Sequence, residues 1–502
     1  MKTSTFRGLS YRLTTLLCVL LWSFGPIAAA QAPADALDTF LKAKMQERRI
    51  PGLQLAVVRQ GKVVKLGQYG LANLQDSVPV TRQSRFFLNS ITKAFVGVAV
   101  MQLVEAGKLD LAAPASRYLT GLPAAWHPVT VRQLLTHTSG LPDIMPEDEM
   151  VTEGNFGAAW AKVQTQPLAF APGAQFAYNQ TNYLLLGQLI DQLSGQPFAR
   201  FIQERQLNVV GMPRTTSGDA HDVLPNAARG YTYAHYVDGQ RRRSSQPRNL
   251  FEVFPPMLRT AAGMSSSAED VAHWLVALQQ GKLLQPNSLV ELRTPGVLTN
   301  GTQRGFSKLL NGYALGWPTI NRSEHPAMAA VGGGRSAVFL YPQDDMAIVV
   351  LTNLQGANPE SFVDEIAGFY LPDMRAAAGF GLPPAIRTLQ ADLRQRGFDK
   401  AVEAAKQAKK NDPSFHLAED EVNAWGYTLL QQKQMKDALQ VFKLNVSLYP
   451  GSANTYDSLA ELYAELGDTA LARKNYQRAL ALNPKNTTAA QYLQITGSKA
   501  KN

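Results

Sequence analysis

A hydroxyl and an amine three residues apart stand out in Phe87-Leu88-Asn89-Ser90-Ile91-Thr92-Lys93-Ala94-Phe95, which opens an almost wholly apolar segment running to Ala106. Gly107 follows, a residue type that ends helices by adopting left-handed backbone. On a helix, positions i and i+3 share a face, so Ser90 and Lys93 project together. A hydroxyl attacks well only when a neighbouring base takes its proton, and an amine held away from water can be that base. The free N–H groups at a helix N-terminus favour negative charge on an attacking oxygen or a tetrahedral intermediate. The chemistry implied is acyl transfer through Ser90. The spacing alone is weak, because Ser498 and Lys501 repeat it in a polar tail. A capping serine beside a snorkelling lysine is the plain alternative.

Further segments add to the case. Residues 172–187, Pro-Gly-Ala-Gln-Phe-Ala-Tyr178-Asn179-Gln180-Thr-Asn-Tyr-Leu-Leu-Leu-Gly, read as a turn followed by a helix. His137-Thr138-Ser139-Gly140-Leu141-Pro142 precedes them. Ala261-Ala262-Gly263-Met264 with Ala268-Glu269-Asp270, and Tyr313-Ala314-Leu315-Gly316-Trp317, come after. Taken in order over roughly residues 36–355, this set resembles the penicillin-recognising serine enzymes, that is, class C β-lactamases and D-Ala-D-Ala carboxypeptidase-like enzymes. The resemblance implies an α/β domain, a β-lactamase-like antiparallel sheet flanked by helices plus a helical subdomain, with the nucleophile between them. It implies Ser90 as nucleophile, with Lys93 and Tyr178 handling protons. A tyrosine ordinarily titrates near ~10, so Lys93 must lower that value or share its proton. Backbone N–H groups of Ser90 and of a strand near Gly333 would form the oxyanion hole. His137 is structural in such a stretch.

Two positions depart from the family pattern. Gln180 stands where the family has asparagine, keeping the amide on a longer arm. In Ala329-Ala330-Val331-Gly332-Gly333-Gly334-Arg335-Ser336, Ala330 occupies the place of a lysine or histidine that meets a substrate carboxylate. Arg335 is the cation left to replace it, a surface arginine being the bland reading. The loss weakens penicillins and acyl-D-Ala peptides as substrates more than it weakens acyl transfer. There is no Gly-x-Ser-x-Gly elbow, which argues against an α/β-hydrolase. The seven histidines are scattered without metal-ligand spacing. No metal site and no cofactor are expected.

The elements that must hold these residues follow from apolar patterning. Residues 53–58 and 62–66 flank Arg59-Gln60-Gly61, and residues 336–341 and 346–351 flank Pro342-Gln343-Asp344-Asp345. Both read as hairpins. Helical patterns lie between, so residues 31–375 are expected to place an antiparallel sheet beside a helical region. Residues 376–386, rich in Ala, Gly and Pro, read as a linker. Beyond it, over residues 387–495, Ala438, Phe442 and Pro450 recur 34 residues on as Ala472, Tyr476 and Pro484. Val422, Trp425, Gly426 and Leu429 recur as Tyr456, Leu459, Ala460 and Tyr463. This resembles the tetratricopeptide repeat, in which small residues let paired helices touch. Ala401, Ala405, Ala408 and Pro413 mark the second helix of a degenerate third copy, and the stack is expected to need that copy or a docking surface.

The chain has 502 residues, 45% of them hydrophobic and 18% charged, an ordinary globular composition. Residues 1–30 carry Lys2, Arg7 and Arg12, an apolar run over residues 13–24 and Ala28-Ala29-Ala30. They read as a cleaved secretory signal, and the protein as periplasmic or secreted. The apolar run is too short for a stable membrane span. The one cysteine, Cys18, lies there, which excludes thiol catalysis and disulfides from the mature chain. Net charge is +10, and loss of the three basic residues of the signal leaves +7. Gln240-Arg241-Arg242-Arg243 lacks interleaved aromatics and reads as a solvated loop, so no nucleic-acid partner is expected. The expected partners are a small-molecule or peptide substrate and, through the repeats, another protein. The function expected is an exported serine hydrolase acting through an acyl-enzyme on amide or ester bonds (a β-lactam, a D-amino acid peptide or an ester). The rival is a catalytically weak penicillin-recognising sensor that uses its repeats for protein contact.

Overall fold

The computed structural model describes residues 34–145, 151–237, 240–375 and 378–498. The expected secretory signal with Cys18, and Lys501 of the tail motif, lie outside the described residues. Eight strands form one antiparallel sheet: β1 (Gly52–Arg59), β2 (Lys62–Asn73), β3 (Val78–Pro79), β4 (Gly312–Tyr313), β5 (Pro318–Ile320), β6 (Ala327–Gly332), β7 (Ser336–Tyr341) and β8 (Met346–Thr352). Their spatial order is β3-β2-β1-β8-β7-β6-β5-β4. The two hairpins legible in the sequence are β1/β2 and β7/β8. They join where β1 pairs with β8, from Leu53 opposite Thr352 to Arg59 opposite Met346. Segments nearly 300 residues apart in the chain thus meet at the middle of the sheet.

The central strands read as unbroken apolar runs because both faces of the sheet are covered. Ala56, Val58, Val349 and Leu351 point into one core, and Leu55, Val57, Ile348 and Val350 into the other. Helix α1 (Ala34–Arg48) closes the second core through Leu37 and Leu41. Over the first core lie α2 (Thr92–Glu105), α3 (Gln180–Ser194), the short α4 (Arg259–Ala262) and α5 (Ala268–Gln279). α5 packs between the sheet and α2, where Trp274 stacks on Phe95 at 4.0 Å between ring centroids.

α2 is apolar all round because it is buried all round. It starts after a single 3₁₀ turn, Asn89–Ile91, and ends as its glycine foretells. The Gly107 N–H donates to the Val104 carbonyl and the Lys108 N–H to the Leu103 carbonyl, while Gly107 takes φ +68°. The Tyr313-to-Trp317 loop presses on this helix. A Cβ at Gly97 would lie 2.2 Å from the Leu315 carbonyl oxygen, and one at Gly316 would lie 2.5 Å from that of Lys93.

One sequence expectation fails in this region. Residues 240–243 are not a loop: they begin the strand Gln240–Leu250, which pairs with Gly230–Val237 as a hairpin beside the main sheet. Three consecutive arginines are poor strand formers by composition, but cross-strand pairing with an aromatic-rich partner overrides that preference.

From Pro384 onward the described chain is helical. α6 (Pro384–Arg396) starts inside the stretch expected to be linker, because proline at the first turn of a helix forfeits no hydrogen bond. It pairs with α7 (Ala401–Asn411), and α8 (Glu419–Gln431) with α9 (Met435–Leu448). α10 (Ala453–Glu465) then pairs with α11 (Thr469–Leu482), and α12 (Thr487–Ser498) closes the stack. The small residue at Gly426 lets the second pair touch, since a Cβ there would sit 2.5 Å from the Phe442 ring.

Gly97→Ala should destabilise the chain by about 1–3 kcal/mol, the usual cost of overpacking a tight backbone contact. Urea unfolding measures it; unchanged stability would show that α2 does not meet the 313–317 loop as described.

Candidate active site

Four distant segments converge on the start of α2. Ser90 lies in the 3₁₀ turn and is half-buried. Lys93, one turn on, is 1% exposed. Its ammonium makes three contacts: Ser90 Oγ at 3.3 Å, Gln180 Oε1 at 2.9 Å and the Ala261 carbonyl oxygen at 2.8 Å. It also lies 4.8 Å from the Tyr178 ring centroid and 5.1 Å from that of Tyr183. Burial without a directly paired carboxylate lowers the Lys93 pKa to about 7, and the field of Asp143 opposes that shift. Near neutrality much of this amine is therefore unprotonated, as a base must be.

Tyr178 moves the other way. Burial raises its pKa above the ordinary phenol value, although hydrogen bonds with Ser90 and Gln180 pull it down. The expected lowering of the phenol by Lys93 does not appear: burial outweighs the hydrogen bonds with Ser90 and Gln180, and the phenol stays protonated beside Ser90. Lys93 and Tyr178 thus have environments that push one toward base and the other toward acid.

The second segment owes its shape to local capping. Asn179 accepts the Asn182 N–H at 3.2 Å and caps α3. Gln180 is therefore the first residue of α3, beside both Lys93 and Tyr178. His137 fixes this cap from below. It is fully buried, and its Nδ1 accepts from the Asn179 N–H at 3.1 Å and from the Asn182 amide at 3.2 Å. Its ring lies 4.3 Å from that of Tyr178. Burial and the nearby Lys93 hold its pKa well below the usual histidine value, so the ring is neutral.

Two contributors were not singled out from sequence. The Ala261 carbonyl ends the short helix α4 and holds the Lys93 amine. Asp143 accepts the N–H groups of Met145 at 3.1 Å and Gln180 at 3.0 Å, so a half-buried carboxylate sits at the N-terminus of α3, near Lys93. Both lie in or next to stretches carrying the family resemblance, yet neither a backbone carbonyl nor a capping aspartate leaves a spacing signature.

The turn at Gly332-Gly333-Gly334 lies against the nucleophile. A Cβ at Gly332 would collide with the Leu88 carbonyl, and one at Gly333 with the Asn89 amide, so only glycine permits the approach. Gly333 is exposed with φ +56°. Ala330 is buried in β6 and offers no charge. Arg335 is not a surface residue: it is 2% exposed and ion-paired with Glu252. Its charge is already answered, and a substrate carboxylate would have to displace Glu252 to reach it. Among the described residues, no three His, Cys, Asp or Glu side chains gather as metal ligands.

The comparisons with known proteins bear on the family and the fold. The family model described as Beta-lactamase matches residues 37–370, and a tetratricopeptide-repeat model matches residues 453–486. Protein flp of Staphylococcus aureus (strain MW2) is 27% identical over 339 residues, 66% of this chain and 65% of flp, so the chain spans just under two thirds of that relative. A β-lactamase of Escherichia coli (strain K12) is 26% identical over 381 residues, 69% of this chain and 96% of that protein. Among solved structures, the octameric penicillin-binding protein homologue from Pyrococcus abyssi superposes with a TM-score of 0.59 at 24% identity, covering 68% of this chain and 78% of that one. The D-amino acid amidase from Ochrobactrum anthropi SV3 superposes with a TM-score of 0.57 at 24% identity, covering 68% and 98%. With its antiparallel sheet flanked by helices and a helical repeat region behind it, this chain belongs to the β-lactamase family.

Proposed function

We propose that the protein is an exported serine hydrolase that cleaves uncharged ester or amide bonds through an acyl-enzyme on Ser90. The observation that carries this reading is the Lys93 amine, buried with a pKa of about 7 and 3.3 Å from the Ser90 hydroxyl. Neutral Lys93 takes the Ser90 proton as Oγ attacks the substrate carbonyl. The resulting oxyanion is met by the Ser90 N–H and by a backbone N–H near Gly333. Tyr178, kept as a phenol, donates its proton to the leaving oxygen or nitrogen, and Lys93 returns a proton to it. Water then enters and the same groups work in reverse, releasing the acid and restoring Ser90. Gln180 spans Lys93 and Tyr178, accepting from the amine through Oε1 and keeping the two in one proton-sharing unit.

Substrate choice follows from charge. Ala330 brings no cation, and Arg335 is neutralised by Glu252. Substrates that depend on a carboxylate anchor, as β-lactams and acyl-D-Ala peptides do, lose their handle; neutral esters and amides do not. Two proteins that share this fold, the hydrolase EstCE1 with promiscuous acyltransferase activity and the D-amino acid amidase, support acyl transfer as the chemistry proposed here. Export rests on the apolar leader, and among the described residues no helix is long and apolar enough to cross a membrane. The repeats are read as a protein-contact surface.

Purified protein should hydrolyse nitrophenyl esters at least about a hundredfold faster than nitrocefin, relative to kcat/KM, given the lost anchor. A fluorophosphonate probe should label it, and Ser90→Ala should abolish both labelling and turnover. Labelling without turnover would favour the sensor reading, and an adduct on another residue would overturn the site.

The pH profile is equally specific. Because the protonated Lys93 is inactive, kcat/KM should rise with pH through an apparent pKa of about 7. Asp143 raises that value, so Asp143→Asn should move the limb to lower pH while Tyr178→Phe leaves its position unchanged and lowers its height. A limb near the ordinary lysine value would contradict the assignment of Lys93 as base.

A further inference from the structure

We infer that the hairpin beside the main sheet forms a second binding site, selective for phosphate groups, separate from Ser90. A cavity of about 380 Å³ is lined by Arg48, Thr232, Tyr233, Ala234, Arg242, Arg243 and the Leu354-to-Gly356 turn. Three of these residues carry guanidinium groups, and no carboxylate lines the cavity among the described residues.

The fold builds this convergence. Arg48 ends α1, and its Nη1 is fixed by the Ala357 carbonyl at 2.8 Å and the Asn358 carbonyl at 3.2 Å. The guanidinium also rests 5.1 Å from the Phe362 ring centroid. One edge is thereby anchored, and among the described residues no carboxylate forms an ion pair with the remaining N–H groups. The neighbouring Arg49 stacks on Tyr233 at 3.8 Å and donates to the Ser245 carbonyl, tying the hairpin over the end of α1. Successive strand residues ordinarily point to opposite faces. Here the register shifts between Thr232, opposite Arg248, and Ala234, opposite Arg243, so the hairpin bends beside Arg243. Arg242 and Arg243, both exposed, border the cavity. Glu360 feels the charge of Arg48, but it lies outside the lining and is half-buried.

Three converging cations call for a ligand with more than one charge. A single carboxylate would leave most of the repulsion in place. A phosphate group carries close to two charges at neutral pH and offers three or more acceptor oxygens, which match the paired N–H groups of guanidinium. Such a phosphomonoester could arrive free, as in a small phosphorylated molecule, or on a lipid headgroup that ends in a phosphomonoester.

The test uses the full chain and two probes. Calorimetry with inorganic pyrophosphate reads the free form, and co-sedimentation with phosphatidic acid vesicles reads the headgroup. Arg242→Glu/Arg243→Glu should weaken whichever probe binds by about tenfold or more, and added salt should weaken it too. Arg242→Lys/Arg243→Lys should fall between wild type and the glutamate variant. Both variants should keep wild-type nitrophenyl ester hydrolysis, which shows that the fold and the Ser90 site are intact. Binding of pyrophosphate alone names a free phosphate as ligand; binding of vesicles alone names the headgroup. Failure of both probes to bind the wild type, or equal binding by wild type and the glutamate variant, overturns the proposal.

Discussion

The site depends on keeping one amine dry. A lysine ammonium in water holds its proton until pH ~10. Surrounded by Tyr178, Tyr183 and the body of α2, the Lys93 amine loses solvation that two neutral oxygens, those of Gln180 and Ala261, replace only in part. Dipoles orient the group without supplying the full charge that would lock its proton on. Had Asp143 paired directly with Lys93, the ion pair would have favoured the ammonium. Instead that carboxylate spends its hydrogen bonds on Met145 and Gln180 and reaches the lysine through its field alone.

Much of the remaining architecture can be understood as the means of excluding water from that amine. α2 cannot be amphipathic, because its flank must be covered on every side, and it is. The loop at residues 313–317 reaches backbone contact with it only through Gly97 and Gly316. The Tyr178 segment is brought over by the α3 cap, itself held from beneath by a neutral His137. The sheet supplies the third wall through the turn at Gly332 and Gly333, which β1/β8 pairing brings to the start of α2.

What the sequence made legible was whatever has local periodicity or a turn. The two hairpins, the buried helix after Ser90 and the 34-residue repeat each rest on patterning within a short window. The Tyr178 segment was reachable through family resemblance, not through spacing. Other features were invisible for physical reasons. The Ala261 carbonyl is a backbone atom, and any residue there offers one. Asp143 acts through geometry set by a helix 37 residues further on. Arg335 was read as a possible replacement cation because its partner, Glu252, is remote in sequence and only the fold brings the two together. The arginine run at 241–243 was misread as a loop because strand pairing is decided by a partner, whereas composition is judged alone.

The central claim concerns one proton. Nuclear magnetic resonance of protein labelled at the lysine ε-carbons, with Lys93 assigned by its disappearance in Lys93→Met, reads the titration of that amine directly. The account requires a midpoint at about 7, some three pH units below the ordinary lysine value. If instead the Lys93 resonance titrates together with the solvent-exposed lysines, the amine is an ammonium throughout the neutral range, and it is not the base that activates Ser90.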